Sequence, residues 1–226
     1  MERLIINTLD GSPTLYAPEI DEHYHSIKGA ESESIHIFVQ MGLLHAIETY
    51  GLKEVNILEI GFGTGLNALL TLNASKNLPE TINYHTTELY PLSWSIVEQL
   101  YTTHTEELKS LHDAPWNTHY SITPNFTINK CHADVKKLTF EGINVVYFDA
   151  FSPEKQPDLW SESFLSRIYQ QMAPNGVLTT YCAKGEIRRR LQNVGFFVER
   201  LPGPIGGKRE ILRATKKALR DSSVGT

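Results

Sequence analysis

Residues 55–67, Val-Asn-Ile-Leu-Glu-Ile-Gly-Phe-Gly-Thr-Gly-Leu-Asn, constrain the fold of this chain more than any other segment. Val55, Ile57, Leu58 and Ile60 suit a buried strand, and they feed a turn in which Gly61, Gly63 and Gly65 alternate with other residues. Glycine has no Cβ, so such a turn bends sharply and lets a ligand lie against the backbone. Leu66, Leu69, Leu70 and Leu72 continue as a helix, and the whole reads as a cofactor-binding strand-loop-helix. The glycine spacing narrows the choice of ligand. A dinucleotide fingerprint places its third glycine three positions after the second, where this chain has Leu66. A P-loop closes on Gly-Lys followed by Ser or Thr, whereas Gly65-Leu66-Asn67 has neither lysine nor hydroxyl.

Strand and helix signals alternate along the rest of the chain. Leu4-Ile5-Ile6 and Thr14-Leu15-Tyr16 flank Asp10-Gly11-Ser12-Pro13, the pattern of an N-terminal β-hairpin. Ile37, Phe38, Met41, Leu44 and Ile47 recur at helical spacing within 34–50, with Gly51 as the stop. Segments 82–88, 126–131, 143–148 and 176–181 read as further strands, and Leu165, Ile168, Tyr169 and Met172 lie on a helix before the last of them. Alternation of this kind predicts an α/β fold, a mainly parallel, doubly wound, Rossmann-like sheet whose ligands gather at the strand carboxyl ends. The expected division is an N-terminal hairpin and helical extension over 1–50, the Rossmann-like domain over 51–220 and a frayed tail over 221–226.

Composition limits the function classes. With 226 residues, 41% hydrophobic and 21% charged, the chain reads as a soluble globular protein. No apolar run approaches the ~18 residues of a membrane span, and the first residues lack a signal-peptide core, so a cytoplasmic location is expected. Cys131 and Cys182 suggest small buried thiols, not a disulfide framework, and His23 and His25 are too sparse for a metal centre, so no metal is predicted. Nothing calls for an obligatory protein partner. The net charge is −5, yet Lys184 to Arg220 holds eleven Lys or Arg against three acidic residues, a local +8 that leaves −13 for the remainder. Such segregation suits a phosphate-rich partner, and equally a solvated charged helix end.

Acidic residues stand at the predicted strand ends. Glu88 closes the second strand, where a carboxylate can accept hydrogen bonds from both vicinal hydroxyls of a ribose. Asp134 follows the third strand and is also placed to cap a helix over Val135-Lys136-Lys137. Asp149 ends the fourth strand, in Phe148-Asp149-Ala150-Phe151-Ser152-Pro153, where the proline stiffens the loop; the bland alternative is again a cap.

Glu59-x-Gly61-x-Gly63-x-Gly65 resembles motif I of the S-adenosylmethionine-dependent methyltransferases. Further segments resemble the methyltransferase half of the tRNA-modifying MnmC family, and most closely its stand-alone, MnmD-like form. They include Asp21-Glu22-His23-Tyr24-His25-Ser26, Glu33-Ser34-x-His36-x-Phe38, Glu88 with Pro91-Leu92, and Arg188-Arg189-x-Leu191. Asp149-Ala150-Phe151-Ser152-Pro153-x-Lys155-x-Pro157-Asp158-x-Trp160 and the closing Gly207-Lys208-Arg209-Glu210 are the family-specific parts. Ala150 and Ser152 depart from the Gly and Ala common in the bifunctional enzymes, which implies a slightly stiffer loop.

The resemblance implies a class I methyltransferase fold that binds S-adenosylmethionine through Tyr24, Glu59, Gly61, Gly63, Gly65, Asn67, Glu88, Asp134 and Asp149. Asp134 would accept from the adenine amino group, and Asp149 would be the catalytic residue, anchoring a nitrogen nucleophile beside the sulfonium methyl. The implied reaction converts 5-aminomethyl-2-thiouridine at the tRNA wobble position to 5-methylaminomethyl-2-thiouridine. At 226 residues the chain is expected to lack the flavin (FAD) oxidase half. Phe151, Ser152, Pro153 and Trp160 are expected to meet the splayed nucleotide of the anticodon stem-loop, and Arg188, Arg189, Lys208 and Arg209 its phosphates. A small-molecule amine methyltransferase and an aminopropyltransferase on the same fold are the alternatives.

Overall fold

The computed structural model describes residues 3–7, 13–19, 21–24, 30–101, 103–205, 207 and 209–218. The predicted turn Asp10-Gly11-Ser12, His25, Lys208 and the tail over 221–226 lie outside the described residues.

The N-terminal strands β1 (Leu4–Asn7), β2 (Pro13–Ala17) and β3 (Glu22–His23) form a three-stranded antiparallel sheet, so the predicted hairpin is present with one strand more. Helix α1 runs continuously from Ala30 to Tyr50, α-helical over Ala30–Ser34 and His45–Tyr50 and π-helical over Ile35–Leu44. It stops where Gly51 turns left-handed at φ 64°, as its sequence predicts.

Strand β4 (Glu54–Ile60) leads into the glycine loop and α2 (Leu66–Ser75), followed by β5 (Thr81–Glu88), α3 (Trp94–Val97) and α4 (Thr105–Asp113). Then come β6 (His119–Thr123), β7 (Phe126–His132), β8 (Ile143–Phe148), α5 (Glu162–Gln171) and β9 (Met172–Thr180). Helix α6 (Gly185–Val194) and the strands β10 (Phe197–Pro202) and β11 (Glu210–Thr215) complete the order. The eight-stranded sheet is ordered β10-β11-β9-β8-β4-β5-β7-β6. Its five central strands β9, β8, β4, β5 and β7 are parallel, and β11, β10 and β6 join antiparallel.

Alternation along the strands explains why both faces are covered. Val145 and Tyr147 enter a core with Ile57, Ile82, Phe38 and Leu43, while the intervening Val146 and Phe148 join Leu165, Ile168, Ile187 and Leu191. Successive strand residues point to opposite faces, so helices pack on each. From β4 the chain steps outward to β5 and β7, then returns to β8 on the other side of β4. That reversal opens a crevice beyond the carboxyl ends of β4 and β8, the ligand position of doubly wound sheets. Among the described residues, no helix is long and apolar enough to cross a membrane.

The basic C-terminal region differs from its sequence reading. It holds not only a helix but the β10–β11 hairpin, in which Glu199 lies opposite Arg213 and bonds its guanidinium at 3.0 Å. Arg190 pairs with Glu186, Lys184 with Glu154, and Lys216 donates to the carbonyls of Tyr169 and Met172 at 2.9 and 2.7 Å. Much of the local positive charge is therefore answered within the fold.

Candidate active site

A cavity of about 620 Å³ opens at the carboxyl ends of the parallel strands, walled by Gly61, Gly63, Glu88, Asp134 and Asp149, with Tyr24 on its N-terminal side. Its size is ordinary for a small-molecule site. The glycine loop is held by the next strand: the amides of Gly61 and Phe62 both donate to the Thr87 carbonyl, at 3.1 and 3.0 Å. The Gly63 amide donates to Glu88 Oε2 at 3.1 Å and the Tyr90 amide to Oε1 at 2.9 Å. Each carboxylate oxygen keeps a second lone pair, so Glu88 is pinned yet still able to accept from a pair of hydroxyls.

Tyr24 lies across the loop. Gly63 has φ 52°, and a Cβ there would stand 3.3 Å from the Tyr24 ring, so a side chain at this position would fill the gap between loop and aromatic. Arg3 holds the ring, donating to its hydroxyl and lying 5.2 Å above its centroid. Behind the loop, His112 bonds the Thr64 carbonyl at 3.0 Å, and the wholly buried Lys130 donates to the His112 carbonyl between the rings of Trp116 and Phe62. Burial holds the Lys130 ammonium down to about 8. This brace carries no sequence signature, because its members are scattered over four elements.

Asp149 follows directly on β8. Asn67, in the first turn of α2, donates from Nδ2 to Asp149 Oδ2 at 2.8 Å. The loop beyond is fixed by side chains: Tyr181 donates to the Ala150 carbonyl at 2.9 Å, Gln156 accepts from the Phe151 amide at 2.9 Å, and Trp160 Nε1 donates to the Phe151 carbonyl at 2.8 Å. Ser152 donates to Glu22 at 3.0 Å and Lys155 pairs with Asp21 at 3.3 Å, which binds the loop to the N-terminal sheet. Tyr24 and Phe151 meet edge to face at 5.4 Å. Burial and the nearby Asp149 charge push the Tyr181 hydroxyl far up, so it stays protonated and donating.

Several sequence-derived roles are corrected. Trp160 is 1% exposed and packs on Phe148 in the core, so it supports the loop and offers no face to a nucleobase. Glu59 is 0% exposed and lies behind the cavity wall, accepting from Thr86 Oγ1 at 2.7 Å. Gly65 shapes the loop at φ 82° but packs toward Phe62, His112 and Leu108, away from the cavity. Asp134 lines the cavity and caps the short 3-10 turn Val135–Lys137, accepting from the Lys136 amide at 2.9 Å as its cap reading expects. Ser152 and Pro153 belong to the loop but not to the cavity wall, whereas Phe151 reaches it. Arg188 and Arg189 on α6, and Arg209 before β11, lie away from the cavity; Arg189 and Arg209 are exposed and Arg188 half-buried. Glu22, Gln156 and Tyr181 are among the wall residues to which the sequence assigned no role. Tyr181, one residue beyond β9, could have been found as another strand-end position.

A family model described as S-adenosyl-L-methionine-dependent methyltransferase matches residues 93–217. The chain belongs to this methyltransferase family. The matched span of the methyltransferase includes Asp134, Asp149 and the loop to Trp160, while the glycine loop lies ahead of it. It is similar to the tRNA 5-methylaminomethyl-2-thiouridine biosynthesis bifunctional protein MnmC of Azoarcus sp. (strain BH72), 31% identical over 90% of this chain and 34% of that protein. The protein of the same name in Cupriavidus metallidurans is 28% identical over 89% of this chain and 32% of its own length. The chain thus spans about a third of the length of these curated relatives. Among solved structures, MNMC2 from Aquifex aeolicus superimposes with a TM-score of 0.81 at 28% identity, covering 96% of this chain and 72% of that one.

The methyltransferase cavity fits the cofactor its family names. Glu88, restrained by two amides, suits a ribose diol, and Gly61 and Gly63 bring backbone without side chains to the cavity wall.

Proposed function

We propose that the protein methylates the primary amine of 5-aminomethyl-2-thiouridine at the tRNA wobble position, giving 5-methylaminomethyl-2-thiouridine. The observation that carries this reading is the Asp149 carboxylate, tethered by Asn67 at the cavity wall across from Glu88, at the head of a loop fixed by Tyr181, Gln156 and Trp160. The names of the MnmC relatives supply the nucleoside.

Bound S-adenosylmethionine supplies an electrophilic methyl group on its sulfonium. The protein's own residues do the rest. Glu88 would hold the ribose, with Asp134 at the adenine and Tyr24, Gly61, Gly63 and Asn67 around the remaining length. An alkylamine is mostly protonated at neutral pH and attacks only as the free base, so the site has to orient a lone pair. Asp149 accepts a hydrogen bond from the amine and aims it, then stabilises the positive charge that develops on nitrogen. A carboxylate raises the amine's affinity for its proton, so Asp149 is a positioning and electrostatic partner; water takes the proton away. Phe151, with Tyr24 at its edge, offers an aromatic wall to a base splayed from the anticodon loop. Arg188, Arg189 and Arg209 would meet phosphates outside the cavity.

The test is incubation with tRNA from cells blocked at the aminomethyl stage, followed by nucleoside mass analysis. A gain of one methyl on the aminomethyl nucleoside is expected, and no gain overturns the reading. One observation favours a second reading, a small-molecule amine methyltransferase or aminopropyltransferase: the internal pairing of Lys184, Arg190 and Arg213 weakens the basic face that tRNA would use. Alkylation of a free amine in the absence of tRNA would establish it.

A further inference from the structure

Behind the cavity wall lies a polar cluster that the reaction above leaves unused. Glu59 sits in the central strand β4, register-paired with Thr86 on β5 and Tyr147 on β8. It is 0% exposed, and Asn67 beside it is 5% exposed. Thr86 Oγ1 donates to Glu59 Oε2 at 2.7 Å, and Asn67 Nδ2 donates to Asp149 Oδ2 at 2.8 Å. Glu59 Oε1, Asn67 Oδ1 and the Tyr84 hydroxyl are buried without a partner of good geometry, although Asn67 and Tyr84 both act on the Glu59 carboxyl. An ionised carboxylate and an amide oxygen only accept, and the single Tyr84 O–H cannot serve both Glu59 Oε1 and Asn67 Oδ1, so the cluster is one donor short. A proton on Glu59 supplies one. It also removes a second negative charge from a water-free interior that already faces Asp149, where an unpaired carboxylate is costly.

We propose that Glu59 is a positioning residue that works as an uncharged acid: through Asn67 it fixes the Asp149 carboxylate and leaves the site one negative charge instead of two. The proposal rests on the role given above to Asp149. Burial, joined by the Asp149 charge and opposed by the Thr86 hydroxyl, pushes the Glu59 carboxyl up to about 8. The titratable groups facing it are Tyr84 from β5, Tyr147 from β8 and Asp149 beyond β8, with the uncharged Asn67 from α2. Burial holds both tyrosines in their neutral form, so neither adds a charge to the cluster over the physiological range. When Glu59 ionises, it repels Asp149 and pulls the Asn67 amide toward itself.

The experiment compares the wild type with Glu59→Gln and Glu59→Ala. Glutamine keeps the shape and supplies an N–H in place of the acid proton. Glu59→Gln is therefore expected to recover at least about tenfold of the kcat that Glu59→Ala loses, with KM for the cofactor little changed. The kcat ratio of Glu59→Gln to wild type is expected to rise about tenfold between about pH 7 and pH 9, as the wild type alone acquires the second charge. The carbon-13 shift of the Glu59 carboxyl, followed in the wild type, is expected to titrate near the same midpoint, a readout that needs neither turnover nor a folded alanine variant. A ratio flat with pH, or a carboxyl titrating in the ordinary glutamate range, overturns the proposal. Asp149→Asn separates the two readings. Full turnover in that variant overturns the role of Asp149 itself, and loss of turnover with a pH-flat ratio overturns only that of Glu59.

Discussion

Asn67 Nδ2 reaches Asp149 Oδ2 at 2.8 Å and so ties the helix that follows the glycine loop to the end of the neighbouring parallel strand. The donor half and the acceptor half of the cavity are joined by one amide. Asn67 is two residues from the last glycine of the motif, and Asp149 is the first residue after β8, so the contact follows from the β4–β8 pairing.

Asp149→Ala is expected to lower kcat by about 100-fold or more while cofactor affinity changes little, because the lost interaction is made to the charge that develops at nitrogen. Single-turnover methyl transfer and cofactor titration calorimetry measure the two effects separately. Near-normal turnover would remove Asp149 from the chemistry.

Glu88→Ala removes a carboxylate that two backbone amides hold in place. Cofactor affinity is expected to fall about tenfold or more, since hydrogen bonds to a charged group are worth about 1.5–3 kcal/mol. Calorimetric titration with S-adenosylhomocysteine checks it, and unchanged affinity would place the ribose elsewhere.

The buried acid also sets a pH dependence of stability. Glu59 binds its proton more tightly folded than unfolded, with a folded value of about 8. Its contribution is complete below the unfolded glutamate range and is lost as pH rises toward 8, by up to about 1.4 kcal/mol per pH unit. Glu59→Gln lacks this loss. Urea unfolding at about pH 5 and pH 8 is therefore expected to show a smaller drop in stability for Glu59→Gln than for the wild type. An equal drop in both proteins would mean that Glu59 ionises normally.

Reversal of the exposed Arg189 and Arg209 to glutamate is expected to weaken tRNA binding and flatten its salt dependence, by a slope of about one for each phosphate no longer neutralised. Binding of the cofactor stays intact. Filter binding across a salt series reads the slope, and an unchanged slope would leave these arginines as ordinary solvated charges.

The parts of this protein that were readable from sequence are those governed by local rules. The glycine loop, the Gly51 stop and the strand-end acids Glu88 and Asp149 each carry a short-range signal, and each stands where that signal puts it. Trp160 and Glu59 misled because a residue in a motif can serve it from behind: both are at most 1% exposed, and their depth depends on what packs over them from distant elements. The β10–β11 hairpin was hidden for a different reason. Its residues mix charge with apolar side chains, and the pairing of Glu199 with Arg213 is visible only once the strands are in register. Strand β6 is likewise a mostly polar edge whose partner β7 defines it.

The contacts of Glu22 with Ser152, Asp21 with Lys155 and Tyr24 with Phe151 hang the loop after Asp149 from a small sheet that is separate from the eight-stranded one. The loop is thereby braced from outside the central sheet. On the reading proposed above, variation at Asp21 and Glu22 would shift this loop, and with it the choice of amine, without touching β4, β5 or β8.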